Sequence, residues 1–183
     1  MLKAIADNAN NFILACFLLT LVWLNDADTV EGMAEINSVG EATRHRSLTE
    51  TDIQALARTL VGECARCGDE EVRWIAHVVV NRLKSGRYGD EILDVVTFRR
   101  GKAYAFSTWD PRENKSDVTG AHVDRSTAFG RMRNIAREVW FEDDPTGGAT
   151  EFYHPASMRP ALRVPKWARG RHGVAVGGAI FFR

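Results

Sequence analysis

Net charge is the first thing this sequence lacks: 24 Lys and Arg balance 24 Asp and Glu over 183 residues. That balance excludes a dedicated nucleic-acid binder, because neutralising phosphates takes an excess of basic side chains. Cysteine is sparse, with three in all, and a chain of this length buries a core without disulfide staples. No uninterrupted apolar run reaches the roughly twenty residues that a spanning helix prefers. No internal repeat and no low-complexity tract is present. What is there, 45% hydrophobic and 26% charged residues, is the composition of one globular domain with an appendage.

The appendage lies at the amino terminus. Phe12 to Leu24 is an uncharged apolar run of the length of a signal-peptide core, preceded by Lys3. Residues 1–24 are therefore expected to be a signal peptide or, since no clean small-x-small cleavage site follows, an uncleaved membrane anchor. A buried core helix is the competing reading. Residues 25–47 lack hydrophobic periodicity and are rich in Asp, Glu, Ala, Ser and Gly, which predicts a flexible linker. The remaining domain is then 48–183, expected to be exported or held outside the cytoplasm by the amino-terminal segment.

That domain opens on helical patterns. Ser47 with Glu50 and Thr49 with Asp52 are overlapping cap signals, and Ile53, Leu56, Ala57, Leu60 and Val61 form one apolar face ending at Glu63. Asp69, Glu70 and Glu71 sit where the dipole of a second helix favours negative charge, so they have a sufficient structural role. Val72, Ile75, Ala76, Val79 and Leu83 are its buried stripe, which leaves His77 at the surface or behind a site. A short helix over 90–98 and a longer one over 126–142 follow, the latter burying Phe129, Met132, Ile135, Ala136, Val139 and Trp140. Residues 149–153 and 177–182 read as strands of a small sheet. Pro155, Pro160, Pro165 and Gly170 rule out a long helix between them. The fold class is α+β, mainly helical.

The candidate chemistry starts at Glu63, a lone carboxylate where an apolar helix face ends. A carboxyl group at such a boundary loses water on one side, which favours the protonated form that a general acid needs. Cys64 and Cys67 make a CxxC at a helix end. Disulfide and free thiols are both open, and one CxxC without two further ligands at similar spacing is weak evidence for metal, so no metal and no cofactor is assigned. Phe106, Ser107, Thr108 and Trp109 form an aromatic and hydroxyl-bearing loop of the kind that lines sugar clefts. Glu151, alternating with Phe152 on a strand, is expected to meet solvent. The run from Arg159 to Arg183 contains six basic residues and no carboxylate, which suits either an anionic polymer or a solvated rim.

The order Gly62-Glu63, then Val78-Val79-Val80-Asn81-Arg82, then Phe106-Ser107-Thr108-Trp109, then Asp144-Pro145-Thr146-Gly147-Gly148-Ala149 and Phe152-Tyr153-His154-Pro155 resembles the SleB-type cell wall hydrolases, which include the spore cortex-lytic enzymes. The likeness covers 49–183. It implies a lysozyme-like fold, peptidoglycan as partner, and cleavage between N-acetylmuramic acid and N-acetylglucosamine, with Glu63 as the carried-over catalytic residue. Lytic transglycosylation is the expected reaction; a hydrolytic muramidase and a non-catalytic peptidoglycan-binding module are the alternatives. Ser107 and Tyr153 are expected to hydrogen-bond substrate, Phe106 and Trp109 to stack on it or wall the cleft, and Asn81 to hold the loop near Glu63. Cys64-Ala65-Arg66-Cys67 replaces the family's Ala-Arg-Gly-Glu, Ala105 stands where Gln is usual, and Gly177-Gly178-Ala179 replaces Gly-Asn-His. No binding to nucleic acid is expected, and membrane contact only through an uncleaved amino-terminal segment.

Overall fold

The computed structural model describes residues 47–112, 127–158, 160 and 162–183. The chain divides into two units, Met1–Arg44 and His45–Arg183, and the described residues all belong to the second. The expected signal or anchor and nearly all of the expected linker lie outside the described residues. Among those described, no helix is long and apolar enough to cross a membrane.

Among the described residues four α-helices carry the core: α1 Glu50–Cys64, α2 Asp69–Lys84, α3 Ile92–Thr97 and α4 Thr127–Glu138. Helix α1 begins where the sequence says it should. Thr49 accepts from the Asp52 backbone N–H and the Asp52 carboxylate accepts from the Thr49 backbone N–H, a reciprocal cap. Ile53, Leu56, Ala57 and Leu60 are buried along its inner face. Helix α4 packs against it with Phe129, Met132, Ile135 and Ala136, the periodic set read from the sequence.

Helix α2 departs from expectation. It is buried on nearly all sides, because α1, α3, α4 and two strands surround it. His77 is accordingly only 1% exposed and belongs to the core. Its ring nitrogens face Glu142 at 3.7 Å and Asp144 at 3.8 Å.

The sheet is also larger than the sequence suggested. Strands β3 Glu151–Tyr153 and β5 Ala179–Phe182 pair antiparallel as expected, with Phe152 opposite Phe181. A third strand, β4 Val174–Val176, joins the other edge of β5 through a tight turn at Gly177 and Gly178. A second hairpin, β1 Arg99–Arg100 with β2 Ala103–Tyr104, turns through Gly101 at φ 66°. Among the described residues there are also three short 3-10 turns, at Ser107–Trp109, Pro155–Ser157 and Lys166–Ala168.

Candidate active site

Glu63 occupies the last turn of α1 and is half-buried. The residue before it explains why. Glycine inside a helix costs about 1 kcal/mol relative to alanine, so a helical glycine calls for a packing reason. A Cβ on Gly62 would stand 1.7 Å from Thr108 Oγ1. The Ser107–Trp109 turn therefore lies directly on the helix, and only glycine leaves room for it. The Thr108 backbone N–H consequently points at Glu63 Oε1, with the nitrogen 3.5 Å away. Trp109 pins the same turn from its other end, donating its indole N–H to Thr59 Oγ1 at 2.9 Å. Thr59 in turn donates to the Ala55 carbonyl at 2.8 Å.

Beside this turn lies Arg82, 7% exposed. Its Nε donates to the Thr150 carbonyl at 2.7 Å, and its guanidinium stacks 4.7 Å over the Phe106 ring and 5.1 Å from Tyr88. Burial pulls its pKa down from the usual arginine value; Tyr88, Glu151 and Glu63 oppose that, and Arg100 reinforces it. Arg82 also lines a cleft of about 250 Å³. Tyr88, Phe98, Tyr104 and Trp167 give the cleft aromatic walls, and Arg82, Arg100 and Glu151 give it charge. Such a lining suits a sugar, whose rings have apolar faces and polar edges.

Several expectations change here. Glu151 lines the cleft instead of facing bulk water, and Arg171 at 2.5 Å and Arg100 at 3.8 Å hold it there. Phe106 is 1% exposed and supports Arg82 from below, so it has no face to offer a sugar. Asn81 is 8% exposed, and its amide donates to Asp144, Thr146 and the Ala149 carbonyl, which ties α2 to the 144–149 turn and leaves nothing for a ligand. Tyr153 packs against Trp167 and Phe182 on the sheet. Ser107 and Trp109 do gather at Glu63, both half-buried in the covering turn.

Asp110, the other carboxylate near that turn, is held by Arg112 through Nε at 2.8 Å and Nη2 at 2.5 Å. Those hydrogen bonds bring its pKa down to about 2. It stays an anion with no proton to give. The sequence reading passed over Thr108 and Arg82; the glycine inside a helical pattern was the signal for the first.

A family model described as Cell Wall Hydrolase matches residues 68–182. The chain belongs to the cell wall hydrolase family. The matched stretch begins just after Glu63 and takes in the cleft, Arg82 and the Ser107–Trp109 turn. Two solved structures share the fold. The catalytic domain of the germination-specific lytic transglycosylase SleB from Bacillus anthracis is 19% identical, with TM-score 0.57, covering 75% of this chain and 98% of that one. The catalytic domain of the Bacillus cereus SleB protein is 19% identical, with TM-score 0.50, covering 75% and 94%. No curated protein matches. As a cell wall hydrolase the chain is an enzyme of α+β fold whose substrate is peptidoglycan.

Proposed function

We propose that this cell wall hydrolase is a lytic transglycosylase, acting outside the cytoplasmic membrane with Glu63 as its one acid and base. The observation that carries the reading is the seating of Glu63: half-buried at a helix end and braced by a turn that only a glycine admits, with Arg82, stacked on Phe106 just before that turn, lining an aromatic cleft. Protonated Glu63 gives its proton to the glycosidic oxygen as oxocarbenium character develops on the muramic sugar. The carboxylate then takes the proton of that sugar's own C6 hydroxyl, which closes a 1,6-anhydro ring. A tethered hydroxyl has a high effective concentration, so no second carboxylate has to activate water.

The state of the other acids supports this choice. Asp110 is neutralised by Arg112, and Glu151 by Arg171 and Arg100, so among the described residues neither is placed to act as an independent base or nucleophile. The SleB domain of similar fold is named a lytic transglycosylase. Ser107, Trp109 and the cleft aromatics contact the glycan in this reading.

The test is digestion of purified sacculi by the full chain, with the fragments resolved by mass spectrometry. Anhydromuramic ends are expected, and Glu63→Gln is expected to lower their yield by more than about a hundredfold. Reducing muramic ends would assign the hydrolytic alternative. Undiminished cleavage by Glu63→Gln would overturn the role of Glu63.

A further inference from the structure

Next to Glu63 in the chain, three side chains from residues 64–71 converge with one from residue 154. Cys64 and Cys67 close α1, Glu71 opens α2, and His154 follows β3. One potential ligand atom from each lies within 4.8 Å of every other. His154 Nε2 is 3.1 Å from Glu71 Oε1 and 3.9 Å from Cys64 Sγ. The two sulfurs are joined as a disulfide, with the Cα atoms 5.2 Å apart.

We propose that these four residues form a zinc site in the dithiol state of the protein, so that metal and disulfide are alternative closures of one cluster. Two of the separations lie close to those around a tetrahedral ion. Zinc–ligand bonds of about 2.3 Å to sulfur and about 2.0–2.1 Å to nitrogen or oxygen give tetrahedron edges of roughly 3.4 Å for N to O and roughly 3.6 Å for S to N. The His154–Glu71 and Cys64–His154 separations straddle those edges. The donor set, two thiolates with one imidazole and one carboxylate, is of the type zinc prefers.

The surroundings are built for the carboxylate. Glu71 is 6% exposed, and a buried carboxylate is costly unless a cation or several donors compensate it. The β4–β5 turn closes over it so tightly that a Cβ on Gly177 would stand 2.1 Å from Glu71 Oε2. A first-turn glutamate serving only the helix dipole would sit in solvent, as Glu70 does.

The chemistry balances without an unnamed partner. A water-soluble phosphine reduces the disulfide, taking oxygen from water to become its oxide and leaving two thiols. Zinc binding then displaces the two thiol protons to solvent. Thiol–disulfide exchange with an added small-molecule disulfide re-forms the Cys64–Cys67 bond: that disulfide accepts the two electrons, leaves as two thiols, and the ion is released.

The test uses the full chain with Cys16→Ser, which leaves only the two cluster thiols. After phosphine reduction and anaerobic desalting it is titrated with Zn2+, and in parallel with Co2+ as a spectroscopic stand-in. One equivalent of each is expected, with thiolate-to-cobalt charge-transfer absorption and a rise in the thermal midpoint; the oxidised protein is expected to bind none. Glu71→Gln and His154→Gln, checked for native circular dichroism, are expected to weaken zinc binding by more than about tenfold, since losing a direct ligand costs at least as much as losing a group that orients one. A reduced chain that takes up no stoichiometric zinc overturns the proposal. So does wild-type affinity in either folded variant, which would make the pair a bare dithiol chelate. Should either variant fail to fold, the cobalt spectrum of the Cys16→Ser protein decides, because a four-ligand tetrahedral site and a solvated two-thiolate complex differ in visible absorption intensity. None of these outcomes depends on Glu63 or on cleavage of glycan.

Discussion

Gly62 and Thr108 are a matched pair, and the match is a claim about single atoms. Gly62→Ala would gain helix propensity in isolation yet put a methyl group 1.7 Å from Thr108 Oγ1. The turn has to lift, carrying away the N–H that faces Glu63. We expect Gly62→Ala to lower sacculus cleavage by more than about tenfold while destabilising the protein by about 1–3 kcal/mol; unchanged cleavage would refute the bracing role. Asn81 makes the opposite prediction. Its amide is spent on Asp144, Thr146 and Ala149, so Asn81→Ala should cost about 1–3 kcal/mol in urea unfolding and leave KM for glycan unaltered in the folded fraction. A raised KM with unchanged stability would contradict this purely structural role. Asn81 shows the limit of reading a residue type: an Asn in a shared motif is as useful for knitting backbone as for binding sugar.

Helix boundaries were the most legible elements, because their signals are local. Thr49 with Asp52 marked the start of α1, the acids at 69–71 marked α2, and the apolar repeats gave the buried faces of α1 and α4. Thr49→Ala should therefore destabilise the domain by about 1 kcal/mol and fray the start of α1. It should leave cleavage at low temperature unchanged, because Glu63 sits at the other end; a large loss of activity with little loss of stability would contradict that separation. The face of α2 was misjudged for a physical reason. Periodicity reports how many sides of a helix are apolar, but Asn81, Arg82 and His77 are buried by neighbours from residues 88–182 that supply their partners. The strand carrying Glu151 failed similarly. Alternation gave its two faces correctly, yet both faces are covered, and the basic residues Arg100 and Arg171 draw the carboxylate inward.

Among the described residues, His77 and Asp144 couple folding to pH in the same direction, as Asp110 does. Burial depresses the pKa of His77 below its ordinary 6.5, with Asp144 and Glu142 only partly opposing it. Burial raises Asp144, but hydrogen bonds from Thr146, Gly148 and Asn81 outweigh that and leave it below 3.8. For both, the folded value lies under the unfolded one, so the stability they contribute is complete above the unfolded value and is lost as pH falls through the folded value. Stability should decline as pH drops below about 6.5 and again below about 3.8. His77→Gln should shrink the difference in thermal midpoint between about pH 8 and about pH 5; an identical difference would remove His77 from the account. What the sequence determined by itself is whatever short-range chemistry specifies: the caps, the apolar repeats, the glycine in a helix and the ordered blocks of the cell wall hydrolase family. Only the tertiary structure decided which polar residues meet. Arg82 with Glu151, Glu71 with His154 and Thr108 with Glu63 are 45 to 83 positions apart, and their encounters follow from how α1, α2 and the sheet pack, a long-range outcome that no window of sequence encodes.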